Sequence, residues 1–338
     1  MESLAVFVGL DYHDAGVQVC VMDRQGRMQM NRRQANDWRA IVEAVNSVAT
    51  DSGVHAAIEA CTGAADLAEE LVSLAGWTVD LAHPGYVSRM KENPDKHDWG
   101  DARILADLVR VGYLPRVWLA PQEIRELRRL VRYRQQLLHQ STNTKLRIRA
   151  LLRDHRLYGP GRAWTQPWLA WLKQTPELPT ESRWIMDQHL KNLERLQPAL
   201  HTLERRVRQL TQHDPVIERL LDQPGIGPVT AWMLRAEIGR FDRFRSGKQL
   251  AKFCGLSPRN SSTNQRPRTG GLIDIGNREL RAVLIQAAHR LARHNPRWSQ
   301  LAASLRAKGK PGSVRAAAIA NRWVRWLYHQ MQPAALAA

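Results

Sequence analysis

Four carboxylates in the first third of the chain have the types and spacing for metal-assisted chemistry. Asp11 closes the apolar run Ala-Val-Phe-Val-Gly-Leu-Asp11, and Glu59 closes His-Ala-Ala-Ile-Glu59 ahead of Ala-Cys-Thr-Gly. Short apolar runs ending in a turn read as buried strands, and a carboxylate at such an edge points into the crevice where α/β sheets bind ligands. Asp98 and Asp101 stand in Lys-His-Asp98-Trp-Gly-Asp101-Ala-Arg, directly before the apolar run Ile104 to Val111. Their spacing puts both on one face at the start of a helix. Converging carboxylates repel one another unless cations neutralise them. All-oxygen ligands suit Mg²⁺ or Mn²⁺, and metal ions so held serve phosphoryl transfer on nucleic acid. Any one of these acids also has a bland reading, as a helix-dipole partner or an ordinary strand end. The ordered set of four is harder to explain that way.

A second candidate lies in the polar, basic segment from Gly255 to Gly271, which carries the hydroxyls Ser261, Ser262, Thr263 and Thr269 among Arg259, Arg266 and Arg268. Hydroxyls in loops usually cap turns. Beside arginines one of them could attack a phosphodiester while the guanidiniums steady the developing charge. Upstream, Pro224-Gly225-Ile226-Gly227-Pro228 separates two helical patterns and resembles a helix-hairpin-helix. Its backbone N–H groups at a helix N-terminus form a phosphate site that reads backbone and not sequence; the alternative is a simple tight turn.

The elements that must position these groups follow from periodicity. Val6–Leu10 and Val17–Met22 read as strands, and the turn Asp23 to Gly26 leads to a third. Asp37–Ala49 reads as a helix, Val54–Glu59 as a strand, Ala64–Ala75 as a helix, and Trp77–Leu81 as a strand. A meander followed by alternating helices and strands, with acids at strand ends, is the pattern of an RNase H-like α/β domain over residues 1–115. Tyr113-Leu-Pro115 then breaks the last helix. Two long basic helices follow, from Pro121 to about His155 and from about Ser182 to His213, with apolar stripes that include Leu146 and Leu210. Joined through Pro160, Trp164, Pro167, Trp168, Trp171, Pro176 and Pro179, they predict an antiparallel coiled-coil arm over 116–214. The tryptophans of its tip could stack on bases or plug a small core. Residues 215–332 read as a mainly α domain built around the hairpin, with helices at Lys248–Cys254, Asn277–His294 and Val314–Met331, and 333–338 as a tail.

Charge sharpens the division. The chain of 338 residues carries a net +18, with a sequence pI near 10.7. Residues 1–110 hold ten Lys and Arg against seventeen Asp and Glu, whereas the remainder holds forty against fifteen. An acidic module joined to a strongly basic body implies a metal-binding catalytic part and a polyanion-gripping part. The other partner for such charge is an anionic membrane. No run of about 18 apolar residues occurs, and Met1-Glu-Ser leads straight toward a strand without a signal peptide, so nucleic acid is the expected partner. Cys20, Cys61 and Cys254 show no paired spacing, which argues for a reducing cytoplasm and against disulfides or a zinc finger; each is expected to be a buried small hydrophobe.

These blocks together resemble the IS110 family of insertion-sequence transposases over nearly the whole chain. Gly-Leu-Asp11, Ile-Glu59-Ala-Cys-Thr-Gly and Asp98-Trp-Gly-Asp101-Ala-Arg match the family's RuvC-like domain, and its acidic tetrad falls on Asp11, Glu59, Asp98 and Asp101. Pro-Gly-Ile-Gly, Phe-Cys-Gly-Leu-Ser-Pro-Arg and Gly-Asn-Arg-Glu-Leu-Arg match its second domain. The resemblance implies a recombinase that moves its own DNA element. A serine nucleophile forms a covalent phosphoserine link to DNA, assisted by the tetrad and Mg²⁺ at a composite site formed when two protomers meet. It further implies a structured noncoding bridge RNA that selects donor and target DNA, and dimers that assemble into a tetrameric synapse on the nucleoid. In one respect the loop departs from the family, whose serine stands just before a glycine. That register puts Thr263 there, followed by Asn264. Ser262 is adjacent, and as the less hindered primary hydroxyl it is the preferred nucleophile.

Two other functions compete. A metal-dependent junction-resolving endonuclease would use the tetrad and water, leaving no protein adduct. A non-catalytic nucleic-acid scaffold would use the carboxylates only as caps. The pairing of a tetrad with a hydroxyl loop favours recombination over both.

Overall fold

The computed structural model describes residues 6–49, 53–90, 98–174, 177–260, 269–273 and 276–332. The chain divides into two compact units, Met1–Pro121 and Gln122–Ala338.

The first unit runs β1 (Val6–His13), β2 (Gly16–Met22), β3 (Met28–Gln34), α1 (Trp38–Asn46), β4 (Val54–Glu59), α2 (Ala64–Ala75), β5 (Thr78–Ala82), α3 (Pro84–Val87), α4 (Asp98–Arg110) and β6 (Arg116–Val117). Its six-stranded sheet has the order β3-β2-β1-β4-β5-β6. β1 pairs antiparallel with β2 and parallel with β4, and β4 pairs parallel with β5. Strand alternation sends Val6, Val8 and Leu10, with Val17, Val19 and Val21, into one core with Ile41, Leu67 and Leu71. On the other face Ala57 and Ala82 pack with Leu105 and Val109 of α4, while Cys20 and Met22 meet Ala102 and Ala106.

One glycine sets the height of α4 over the sheet. A Cβ added to Gly9 would lie 1.9 Å from the Ala102 carbonyl oxygen and 2.5 Å from the Ala106 nitrogen. Only a residue without a side chain lets the helix backbone rest directly on β1.

The second unit opens with α5 (Gln122–Asp154), α6 (Gln166–Gln174) and α7 (Thr180–Leu210). α5 and α7 are antiparallel: His155 meets Ser182, Asn192 donates to Thr144, and Arg134 pairs with Glu204. Most stripe residues are buried, but Leu146 and Leu210 are exposed, because a helix this long drifts relative to any straight seam. At the tip, Trp168, Leu172, Leu178, Met186, Ile148 and Leu152 form a small core of their own. Trp168 packs between Trp164 and Trp171 with its ring tilted by 54° and 49° to theirs, so these tryptophans plug that core.

The base of the helix pair belongs to a larger core, in which Leu127, Val131, Leu196 and Val207 pack with α8 (Pro215–Leu221), α9 (Pro228–Ile238), α10 (Gly247–Phe253), α11 (Arg278–His294), α12 (Pro296–Ala307) and α13 (Gly312–Gln330). α9 is buried almost all round, including Glu237. That carboxylate accepts from Arg132 Nε at 2.9 Å and Nη2 at 3.0 Å, with Arg128 at 3.9 Å. Asp214 caps α8 through the Val216 and Ile217 N–H groups and also accepts from Arg235, tying α8 to α9. The stretch expected to be a plain polar loop is flanked by two short antiparallel strands, β7 (Pro258–Asn260) and β8 (Thr269–Leu272).

Candidate functional site

Sheet register builds the acidic site. The parallel ladder of β1 and β4 ends at Leu10 opposite Ile58, so Asp11 and Glu59 are the next residues on adjacent strands. They lie on the face shared by Phe7, Gly9, His55 and Ala57, which is the face α4 covers. Asp98 and Asp101 occupy the first turn of that helix. Because Gly9 admits α4 to the strand backbone, Asp101, one residue before Ala102, is carried toward Asp11, two residues beyond Gly9. Asp101 is buried, and Glu59 and Asp98 are half-buried, with the Asp98 side chain 45% exposed.

β1 runs three residues past the expected end, because its antiparallel pairing with β2 continues to His13 opposite Gly16. This extension brings in a residue that motif reading missed. His13 shares the face of Asp11, with Nε2 3.2 Å from Asp11 Oδ2 and 3.4 Å from Asp98 Oδ1. One ligand atom each from Asp11, His13 and Asp98 lie within 4.8 Å of one another, an arrangement able to hold a cation. The available signal was the Asp-x-His spacing on a strand, which places both residues on one face.

Asp11 is only 8% exposed. Burial raises its pKa above the usual carboxylate range; His13 offsets part of that, and the like charges of Asp101 and Asp98 add to it. Burial and two acidic neighbours disfavour the charged form of Asp11, and among the described residues His13 opposes them. Cys61 is exposed, contrary to expectation, because it lies beyond the C-terminal end of β4 in the turn before α2; Cys20 and Cys254 are buried. Burial holds the Cys61 thiol above its ordinary value, the Ala64 backbone offsets this in part, and Glu59 and Asp11 add to it.

In the second unit the hairpin has the expected form. Gly225 has φ +83°, and a Cβ there would lie 2.7 Å from the Leu291 side chain, so both conformation and space require glycine. Gly227 is the N-cap of α9 with Pro228 behind it, and no side chain caps that helix. Ile226 is buried and its backbone N–H donates to the Gln223 carbonyl at 3.2 Å, closing the turn. A pocket of about 510 Å³ opens beside the hairpin and is lined also by Arg290 and His294 of α11, residues the sequence reading did not connect with it. Arg259 is exposed on β7. Ser262, Thr263, Arg266 and Arg268 lie outside the described residues. Among the described residues no helix is long and apolar enough to cross a membrane.

Comparison with known proteins places both units. A family model described as "Transposase IS116/IS110/IS902 family" matches residues 217–303, and a DEDD-type model of the IS110 group, described as "Transposase", matches residues 8–156. A "Probable family 20 transposase" of Pseudomonas aeruginosa is 30% identical over 337 residues, covering 95% of both proteins. The "Transposase for insertion sequence element IS1111A" of Coxiella burnetii is 24% identical over 85% of this chain and 78% of that protein. The "Transposase for insertion sequence element IS1328" of Yersinia enterocolitica is 23% identical over 83% of this chain and 82% of that protein.

Proposed function

The chain belongs to the IS110/IS116 family of insertion-sequence transposases, and from that premise we propose that it recombines DNA by a metal-assisted, covalent route under the guidance of a structured RNA. The observation that supports this most directly is the convergence of Asp11 and Asp98 on one point beside His13. In this reading residues 1–115 are a RuvC-like, RNase H-fold catalytic module. Residues 116–214 are the arm, and 215–332 the module that carries the hairpin and the nucleophile loop.

Asp11 and Asp98 would hold a divalent cation with His13, and Glu59 and Asp101 complete the acidic set on the same face. Carboxylates with a single imidazole suit Mg²⁺ or Mn²⁺. When bound, such an ion supplies neutralising charge and polarises a phosphoryl oxygen. The Ser262 hydroxyl, or that of Thr263, attacks the phosphorus of a DNA strand. A phosphoserine ester forms, the displaced ester oxygen leaves with the proton, and the bond energy is conserved for rejoining. Arg259, Arg266 and Arg268 steady the added negative charge. Gly225 and Gly227 present backbone N–H groups to a phosphate near α9, while Ile226 between them donates its own N–H to Gln223 and anchors the turn. The basic second unit grips guide RNA and both DNAs, in a homodimer that forms a tetramer in the synapse.

Covalent trapping tests this reading. Purified protein is mixed with Mg²⁺, the RNA flanking the element, and labelled donor and target DNA, then resolved on a denaturing gel. A protein–DNA adduct mapping to Ser262 or Thr263, and lost in Asp11→Asn, is the expected result. Cleavage without an adduct would replace it with a hydrolytic, Holliday-junction-type endonuclease.

A further inference from the structure

After Glu279 the chain contains no Asp or Glu, yet it carries eight Arg and two Lys. This stretch builds α11, α12 and α13, which pack on one another and leave a pocket of about 320 Å³ where they diverge. Each helix contributes one arginine to it: Arg293 from α11, Arg306 from α12 and Arg315 from α13, with His289 beside them. Small residues, among them Ala302 and Ala316, line the pocket and give it depth.

Some guanidiniums of the same unit are matched within the fold. Arg132 and Arg128 face Glu237, Arg235 faces Asp214, and Arg134 faces Glu204. Arg293, Arg306 and Arg315 have no hydrogen-bonding or ionic partner among the described residues. Three like charges from three helices repel one another across a concave surface. The last-turn positions of Arg293 and Arg306 in α11 and α12 ease this in part, but no carboxylate among the described residues pairs with them. An external anion does. Guanidinium forks donate paired N–H groups to phosphate oxygens, and three of them around one hollow form a phosphate cradle.

We propose that this pocket binds phosphodiester groups of a nucleic-acid backbone, at a second anchor separate from the Gly225–Gly227 hairpin. The inference rests on the nucleic-acid reading above and adds to it a site with named cations. RNA and DNA share the recognised group, so the test treats them in parallel.

Full-length protein is titrated by fluorescence anisotropy with a labelled random-sequence duplex and, separately, a labelled RNA hairpin, over a series of salt concentrations. Each duplex phosphate neutralised contributes about 0.9 to the slope of log K against log salt, and each single-strand phosphate about 0.7. Replacing Arg293, Arg306 and Arg315 together by Gln is expected to flatten the slope by at least that amount for the nucleic acid the pocket holds. Ala303→Glu adds a carboxylate at the exposed rim without removing any arginine, and is expected to weaken the same complex. Phenylglyoxal labelling mapped by mass spectrometry should show the three arginines protected when that nucleic acid is bound. Protection by RNA alone or by duplex alone supports the pocket and names its ligand. Unchanged slopes and unprotected arginines in a protein that still binds would overturn the pocket and leave the nucleic-acid reading standing. A wild-type protein that binds neither probe overturns both.

Discussion

Asp11 and Glu237 are both buried carboxylates, 8% and 6% exposed, yet their surroundings are opposite. Glu237 receives two hydrogen bonds from Arg132 and has Arg128 nearby, so its charge is neutralised within the fold. The hydrogen bonds donated to Glu237 raise the Arg132 pKa, whereas burial lowers that of Arg128 despite the same carboxylate. Asp11 has one imidazole and two further carboxylates in its field. The first arrangement fastens α5 to α9. In the second, burial and like charge at the carboxyl edge of the parallel strands disfavour the ionised carboxylate. The arginines Arg293, Arg306 and Arg315 repeat the second arrangement with the sign reversed. In Glu237 the matched charge is structural; the site at Asp11 and the three-arginine pocket are where our proposals place ligands.

Asp11→Asn should break the comparison most severely on the functional side. Losing a cation ligand removes several kcal/mol of transition-state stabilisation, about a thousandfold or more in strand-transfer rate. The same change should raise the melting temperature of metal-free protein at neutral pH. Because the folded-state pKa is raised, the cost of ionised Asp11 is fully present at neutral pH and is relieved as pH falls through the folded value. Metal-free wild type should therefore gain stability relative to Asp11→Asn over that descent, as thermal melts would show.

Glu237→Gln should do the reverse, lowering stability without touching the chemistry. Breaking a buried pair costs about 3–5 kcal/mol, and we expect about 2–3 kcal/mol because the Arg132 side chain is 58% exposed. Urea unfolding measures it, and protein that remains folded should keep its rate. Gly9→Ala sharpens the geometric half of the argument. α4 must lift off β1, costing about 1–3 kcal/mol and spreading the carboxylates, so Mn²⁺ should stabilise the variant less than wild type in calorimetry. His13→Ala is the mildest. Removing one ligand or orienting group is expected to weaken Mn²⁺ about 10- to 100-fold, read by electron paramagnetic resonance titration.

Much of the scaffold was legible because local patterning is strong. Alternation gave β2, a short apolar run ending in a turn gave β4, and helical spacing gave Ala64–Ala75 with the bounds found. α12 was missed because Asn295 both ends α11 and begins α12, leaving no loop to announce a new element. β6 is a two-residue strand, and β7 and β8 are nearly as short, too brief for any period to show. The tip tryptophans could be read two ways because an aromatic-rich segment has the same composition whether it stacks on a ligand or on itself.

The sequence alone determined the strand and helix order, the separation of an acidic third from a basic body, and the four carboxylates as candidates, since these depend on local periodicity and composition. Tertiary structure alone decided that His13 lies between Asp11 and Asp98, that Gly9 seats α4, that Glu237 is neutralised, and that three arginines from three helices share a pocket. Residues far apart in the chain acquire a distance only when their elements pack. Whether a charge is matched depends on that distance.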